Sequence, residues 1–554
     1  MTEQLTGEYD PGQYRSVLEV LARAAGEYGD KPAFTCFSAT LDYRAVDRLS
    51  DDFARYLQSA TSLKPGDRIA IQLPNLLQFP VAVFGALKAG LIVVNTNPLY
   101  TPREMRHQFV DAGAKGIVIL ANFCSKLEEI LADTDIEEVI VTRLGDLQSP
   151  LQRQIINLGA RYLKKLVPAY SLPRAMDFMQ ALKRGAAQSQ PLPAPESAGD
   201  DTALILYTGG TTGYAKGVML SHNNLLANMM QFRARSREVI SDGVENIAGP
   251  LPLYHSYAFL LHCVAMPFAG NHNYLIPNPR DLDSVITVLQ NNRITGFVGI
   301  NTLFLALLER EETAAIDFSA MRFCGAGAMP LSEHVQTEWE AMTGCPIYEG
   351  YGLTECSPVV SVNSPSHNRP GTVGLPLAAT DVRVVDDNGT DVPDGDVGEL
   401  WIRGPQVMRA YWQREEDTRQ VLTEDGWLKS GDFVTIDAEG YIRIVDRKKD
   451  MILVSGFNVI PGEIEEYVNS HPDVRESAAI GVPDEHSGED VVLYAVRKKT
   501  SSLDEQTLKD FCRQGLTAYK LPRRIYFVDE LPKSNIGKIL RRELREQHAA
   551  SSRD

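Results

Sequence analysis

Between Leu41 and Asn363, helix-like segments alternate with short apolar runs that end in glycine or in polar loops. Few folds accommodate that rhythm. Short apolar runs buried on both faces suit strands of a parallel sheet, and parallel pairs need crossover connections, usually helices. Arg44 to Ser59 sets Val46, Leu49, Phe53, Tyr56 and Leu57 at helical spacing, whereas Gly116 to Leu120, Glu138 to Val141 and Ala203 to Tyr207 are compact runs of strand length. The pattern predicts an α/β region with a largely parallel sheet and a site at the C-terminal ends of its strands.

After Pro370 the texture changes to short alternating strands with tight turns. Asp381 to Val385 and Glu399 to Arg403 flank Asp387-Asn388-Gly389, and Phe433 to Asp437 and Tyr441 to Val445 flank Ala438-Glu439-Gly440. This predicts a small β-rich subdomain over about 370–446. The charged run Asp446-Arg447-Lys448-Lys449-Asp450 follows. Beyond it the pattern is mixed, with a helix opened by Pro461, strands near Ala478 to Val482 and Val491 to Val496, and a helix from Leu503 to Gln514. A boundary at the charged run gives domains 1–448 and 449–554. The predicted fold class is therefore α/β: a large N-terminal domain of α/β sheet subdomains with a small β-rich subdomain, then a small α+β C-terminal domain.

A formal net charge of −17 disfavours a nucleic-acid partner, which needs a basic face. Met1 to Arg15 carries acids and no long apolar run, unlike a secretory signal. The longest apolar stretches, Val81 to Val94 and Tyr257 to Gly270, are broken by Lys88 and His262 and fall short of the roughly 20 residues of a spanning helix. Seven scattered cysteines without a C-x-x-C pair fit a reducing compartment better than a disulfide or zinc framework. The chain is thus expected in the cytoplasm. Gln152 to Val167 sets Ile155, Leu158, Tyr162, Leu163 and Leu166 among Arg153, Arg161, Lys164 and Lys165. That basic amphipathic pattern suits peripheral contact with the cytoplasmic face of the membrane, and equally an ordinary surface helix. The sequence leaves monomer and homodimer both open.

The segment with the most chemistry is Tyr207-Thr208-Gly209-Gly210-Thr211-Thr212-Gly213-Tyr214-Ala215-Lys216-Gly217. A strand empties into a loop offering backbone N–H groups, hydroxyl donors and one cation to a polyphosphate. The G-x-x-x-x-G-K-[ST] spacing of a Walker A loop is absent. Five further segments follow in order: Gly325-Ala326-Gly327-Ala328-Met329-Pro330, Tyr348-Glu349-Gly350-Tyr351-Gly352-Leu353-Thr354-Glu355, Asp425-Gly426-Trp427-Leu428-Lys429-Ser430-Gly431-Asp432, Asp446-Arg447-Lys448-Lys449, and Pro532-Lys533-Ser534-Asn535-Ile536-Gly537-Lys538.

This set, in this order, resembles the adenylate-forming superfamily of acyl-CoA synthetases, peptide-synthetase adenylation domains and firefly luciferases. The intervening texture, such as Asn97 to Glu104 and Leu251 to His255, is similar to bacterial long-chain fatty acyl-CoA synthetases over nearly the whole chain. The resemblance implies a fatty acid–CoA ligase using ATP, Mg²⁺ and coenzyme A, with a C-terminal domain that moves as a lid about Lys449. It implies that Tyr207, Thr208, Gly209, Gly210, Thr211, Thr212, Gly213 and Lys216 hold the phosphates. Gly325, Ala326, Gly327, Tyr351 and Gly352 would bracket adenine, and Asp432, expected after a glycine in a loop rich in turn formers, and Arg447 would reach the ribose. Thr354, Glu355, His255 and Lys538 are the implied catalytic set, with Glu355 on the metal. The acyl tunnel falls to Tyr257, Phe259, Gly299 and Asn301, and the coenzyme A channel to Ser455, Gly456 and Phe457. For the apolar tunnel residues and the solitary charges, core packing and surface solvation are the ordinary rivals. Rival functions are a fatty acyl-AMP ligase that loads a carrier protein, a medium-chain or aryl-CoA ligase, a non-catalytic sensor on the same fold, and a luciferase-like oxygenase.

Overall fold

The computed structural model describes residues 13–551, apart from 189–198, 209–214, 448–449, 455–456, 485–487, 500 and 535–536. Contacts group the chain into two compact units, Met1–Asp381 with Arg403–Leu428, and Val382–Ile402 with Lys429–Asp554. The boundary read from the charged run falls inside the second unit, at residues outside the described ones.

The first unit is built on two large sheets. In the nine-stranded sheet the order is Leu375–Pro376, Val359–Val362, Ile347–Gly352, Phe323–Ala326, Gly296–Gly299, Asn246–Gly249, His272–Leu275, Pro32–Cys36 and Ala39–Asp42. Its interior pairs are parallel and its margins antiparallel. The eight-stranded sheet runs Ala410–Tyr411, Lys216–Ser221, Thr202–Thr208, Ile92–Asn95, Arg68–Gln72, Ala114–Leu120, Glu138–Thr142 and Met176–Asp177, parallel except at the first two pairings. The alternation in the sequence is thus realised as two largely parallel sheets.

Local chemistry sets the helix boundaries. Asp42 caps helix Tyr43–Ala60 by accepting from the Ala45 N–H at 2.6 Å. Thr101 and Glu104 form a reciprocal capping box at Pro102–Ala112, which opens on proline and ends at the left-handed Gly113. Helix Gln78–Lys88 is buried along its whole length. The charge that interrupts its apolar run is neutralised inside the protein, Lys88 Nζ lying 2.6 Å from Asp47 and 2.7 Å from Asp51. His262, which interrupts the other run, is fully buried, its Nδ1 lies 2.8 Å from Asn273 Oδ1, and desolvation pulls its pKa down to about 4. Both stretches are core elements, and among the described residues no helix is long and apolar enough to cross a membrane.

The second unit holds a four-stranded sheet, Asp381–Val385, Gly398–Arg403, Leu428–Ile436 and Ile442–Arg447, and a five-stranded one in which Val474–Asp484, at the edge, and Gly488–Arg497 form a long hairpin. Helix Pro461–Asn469 packs on that hairpin through Ile464 and Val468. The Asp446 carboxylate accepts from the Gly462 N–H at 2.8 Å, tying the last strand of the smaller sheet to the first turn of this helix. The mixed α/β architecture with a large N-terminal domain and a small C-terminal one matches the expectation.

Candidate active site

Four neighbouring parallel strands end at the residues singled out in the sequence. Asn246–Gly249 leads to His255, Gly296–Gly299 to Asn301, Phe323–Ala326 to Gly327, and Ile347–Gly352 to Thr354 and Glu355. This is the strand-end location that open α/β sheets use for ligands.

The backbone is drawn close there. A β-carbon at Gly352 would stand 2.0 Å from the Pro358 carbonyl oxygen, so no larger residue fits. One at Gly327 would stand 3.2 Å from the Gly350 oxygen and 3.4 Å from the Tyr257 ring, and one at Gly325 would stand 3.5 Å from the Tyr257 hydroxyl. Tyr257, read as acyl lining, therefore lies against the Gly325 to Gly327 strand end, and burial raises its phenol pKa. His255 precedes the short helix Ser256–Ala258, and its Nδ1 accepts from the Tyr257 N–H at 3.4 Å. The neighbouring Ser256 hydroxyl lies 3.2 Å from that of Thr354, so the His255 turn and the Thr354 turn are in direct contact. Phe259 is buried at the start of the segment Phe259–Ala265. Asn301 accepts from the Ser332 N–H at 3.0 Å, and Glu349 from the Leu331 N–H at 3.1 Å, so two strand-end side chains hold the loop after Gly327.

The Gly-rich segment connects antiparallel strands, with Tyr207 opposite Gly217 and Thr208 opposite Lys216. Gly209, Gly210, Thr211, Thr212 and Gly213 lie outside the described residues. Their flanks are held by groups that sequence reading missed. The Tyr207 hydroxyl donates to Asp111 at 2.7 Å, and Arg414 pairs with the same carboxylate. Lys216 is engaged by Asp417 at 2.6 Å, and its ammonium lies 5.4 Å from the centroid of the Tyr411 ring. Tyr411, in the edge strand Ala410–Tyr411, pairs with Val218 of the hairpin and donates to Glu355 Oε1 at 2.9 Å. The Met408 N–H donates to the Glu355 carbonyl oxygen at 2.6 Å. Residues 408–417 thus fasten Glu355 to the hairpin that carries the Gly-rich segment.

In the second unit, Asp432 stands in strand Leu428–Ile436 and not in a loop, directly opposite Arg447 in the antiparallel register. It is buried, at 3% exposure. Near Lys538, the Ser534 N–H donates to the Lys538 carbonyl oxygen at 2.7 Å, and Gly537 takes a positive φ of 74°. Phe457 opens strand Phe457–Val459. Lys449, Ser455 and Gly456 lie outside the described residues.

The sequence matches the model of the AMP-binding enzyme family over residues 21–412 and that of the AMP-binding enzyme C-terminal domain over residues 463–538. The chain belongs to the AMP-binding enzyme family. Relatives of this AMP-binding enzyme include a long-chain-fatty-acid–CoA ligase of Escherichia coli O6:H1, 47% identical over 98% of this chain and 96% of that protein. Another, of Bacillus subtilis, is 34% identical over 96% and 94% respectively. Among solved structures, the anthranilate CoA ligase AuaEII in complex with anthranoyl-AMP shares the fold, with a TM-score of 0.87 at 24% identity over 98% of both chains. ATP-bound MatB from Rhodopseudomonas palustris has a TM-score of 0.79 at 29% identity, over 96% of this AMP-binding enzyme and 99% of that chain.

Proposed function

We propose that this AMP-binding enzyme is a long-chain fatty acid–CoA ligase, which activates a fatty acid with ATP to acyl-AMP and pyrophosphate and then forms acyl-CoA and AMP. The near full-length identity with ligases of that name carries the choice of acid and acceptor. Support for the adenylation half comes from the Tyr411 bridge, which joins a carboxylate at a strand end to the Gly-rich hairpin.

In the first half, a carboxylate oxygen of the fatty acid attacks the α-phosphorus and the bond to pyrophosphate breaks. Negative charge on the phosphoryl oxygens is met by the Gly-rich segment, the Thr354 hydroxyl and Lys538. Glu355 suits Mg²⁺, a hard cation that takes one or two carboxylates together with phosphate oxygens. Among the described residues no group of three or more His, Cys, Asp or Glu gathers to hold a metal alone, so Glu355 would share it with the triphosphate. The ion would neutralise phosphate charge. Gly325, Ala326, Gly327, Tyr351 and Gly352 bracket adenine in this reading, and Asp432 and Arg447, cross-strand neighbours, take the ribose hydroxyls.

In the second half, the coenzyme A sulfur attacks the acyl carbon, the bond to AMP breaks, and the thiol proton passes to solvent. Positioning and a good leaving group suffice. Lys449 acts as the pivot between halves, Ser455, Gly456 and Phe457 line the pantetheine path, and Tyr257, Phe259, Gly299 and Asn301 border the acyl group, with His255 at its junction with the phosphates. A panel of medium-chain to long-chain acids, read separately for pyrophosphate release and acyl-CoA formation, tests the assignment. Pyrophosphate release with acyl transfer to a carrier protein but not to coenzyme A would overturn it.

A further inference from the structure

Helix Pro150–Leu158 continues into the wider turn Gly159–Leu163, and the segment turns most of its large apolar side chains to solvent. Leu151, Ile155, Leu158 and Tyr162 recur at intervals of four, three and four residues, a single helical stripe that in a globular protein faces the core. Here it faces solvent, with exposures of 69%, 60%, 56% and 64%, and Leu163 beside it reaches 85%. Six of the thirteen large apolar side chains exposed among the described residues lie between Leu151 and Leu166, so the patch is a concentration and not background.

The inner side of the segment carries the smaller Ala160, buried, and Ile156, half-buried, and is held by polar contacts. Arg153 Nε donates to the fully buried Asp146 at 2.9 Å, and Asn157 Oδ1 accepts from the Gly145 N–H at 2.8 Å. At Gly145 a β-carbon would stand 2.8 Å from the Arg153 carbonyl oxygen, so the two backbones are packed as closely as glycine allows. Val167, Tyr170 and Leu172 then return to the apolar core. These contacts orient the apolar stripe outward.

Charge identifies the occupant. Between Asp146 and Asp177 there is no Asp or Glu and there are five Lys or Arg residues, in a chain of net charge −17. Arg161, Lys164 and Lys165 are exposed beside the stripe. We propose that residues 150–166 dock this AMP-binding enzyme on an anionic phospholipid surface, with Leu151, Ile155, Leu158, Tyr162 and Leu163 entering the headgroup boundary and Arg161, Lys164 and Lys165 pairing with lipid phosphates. A second copy bound through the same face would bring these cations against their own counterparts, which disfavours a symmetric dimer there. The inference stands apart from the catalytic reading, because it is read out by binding.

The test is co-sedimentation of the full chain with vesicles of phosphatidylglycerol and phosphatidylcholine, against vesicles of phosphatidylcholine alone. Wild type is expected on the anionic vesicles, with binding lowered by added salt. The combined variants Leu158→Ser/Tyr162→Ser/Leu163→Ser and Arg161→Glu/Lys164→Glu/Lys165→Glu are each expected to lose at least about tenfold in affinity. Their pyrophosphate release with a water-soluble medium-chain acid and their thermal midpoints should match wild type, which separates docking from folding and from activity. Wild-type binding by either combined variant would overturn the proposal. So would indifference of the wild type to lipid charge, or a sedimenting dimer that the serine variant dissociates.

Discussion

The Tyr411 hydroxyl donates a 2.9 Å hydrogen bond to the Glu355 carboxylate, linking the edge strand beside the Gly-rich hairpin to the turn after strand Ile347–Gly352. Burial first, and then the Glu355 charge, push the Tyr411 pKa above its ordinary value, so the phenol stays protonated and remains a donor. Tyr411→Phe keeps the ring near Lys216 and removes only the donor. Pyrophosphate release should fall by roughly tenfold, the scale of one charge-assisted hydrogen bond, and should need more Mg²⁺. A Mg²⁺ titration superimposable on wild type would mean that Tyr411 does not position Glu355.

Glu355→Gln retains the shape and the Tyr411 contact but loses the charge that a hard cation requires. The expected outcome is a larger shift in Mg²⁺ requirement than Tyr411→Phe gives, with an unchanged circular dichroism spectrum. If Mg²⁺ dependence stays as in wild type, Glu355 is not the metal carboxylate.

Lys538 and Lys449 should separate the two half-reactions. Lys538→Ala is expected to lose adenylation by on the order of 10² to 10³, yet to convert supplied acyl-AMP and coenzyme A at close to the wild-type rate. Lys449→Pro, by fixing φ at the pivot, should keep adenylation and impair thioester formation. Single-turnover assays of each half decide the matter. Equal losses in both halves for Lys538→Ala would rule out a role confined to the first.

Glu349 offers a test by pH. Burial pushes its pKa up to about 8, the Leu331 N–H only partly offsetting this. Between the ordinary carboxylate range and about 8 the folded chain therefore holds a proton that the unfolded chain has released. Stability contributed by this group is complete below the unfolded pKa and declines as pH rises through that window, by up to about 1.4 kcal/mol per pH unit. Glu349→Gln, which still accepts from Leu331, should flatten the decline. Chemical denaturation at pH 5, 6, 7 and 8 measures the difference, and parallel curves for the two proteins would refute it.

The sheets were legible because burial on both faces leaves a strong local signal, as at Gly116 to Leu120, which is strand Ala114–Leu120 in the structure. Asp432 was misplaced in a loop because Gly431, with φ of 70°, reads as a turn residue, while its pairing partner Arg447 announces itself only through the register. Asp111, Tyr411 and Asp417 were invisible for a related reason. Trp412 reaches the Asp111 backbone across 301 residues of sequence, and no periodicity encodes such a contact. Residues 150–166 show the opposite case: their amphipathic pattern was plain, but which face looks outward is decided by Asp146 and Gly145, which lie outside the pattern.

The bond from the Gly462 N–H to the Asp446 carboxylate spans the residues proposed as the pivot, one partner on each side of 448–449. On the proposal that Lys449 is the pivot, a turn that parts Asp446 from Gly462 would give up a charge-assisted hydrogen bond, worth about 1.5–3 kcal/mol. That energy would bias the resting population toward the bonded arrangement by roughly 10- to 150-fold. Coenzyme A, which could shift such an equilibrium only by its differential affinity, would have to recover the difference on binding. On that reading, the strength of one backbone-to-carboxylate contact sets part of the apparent affinity for coenzyme A.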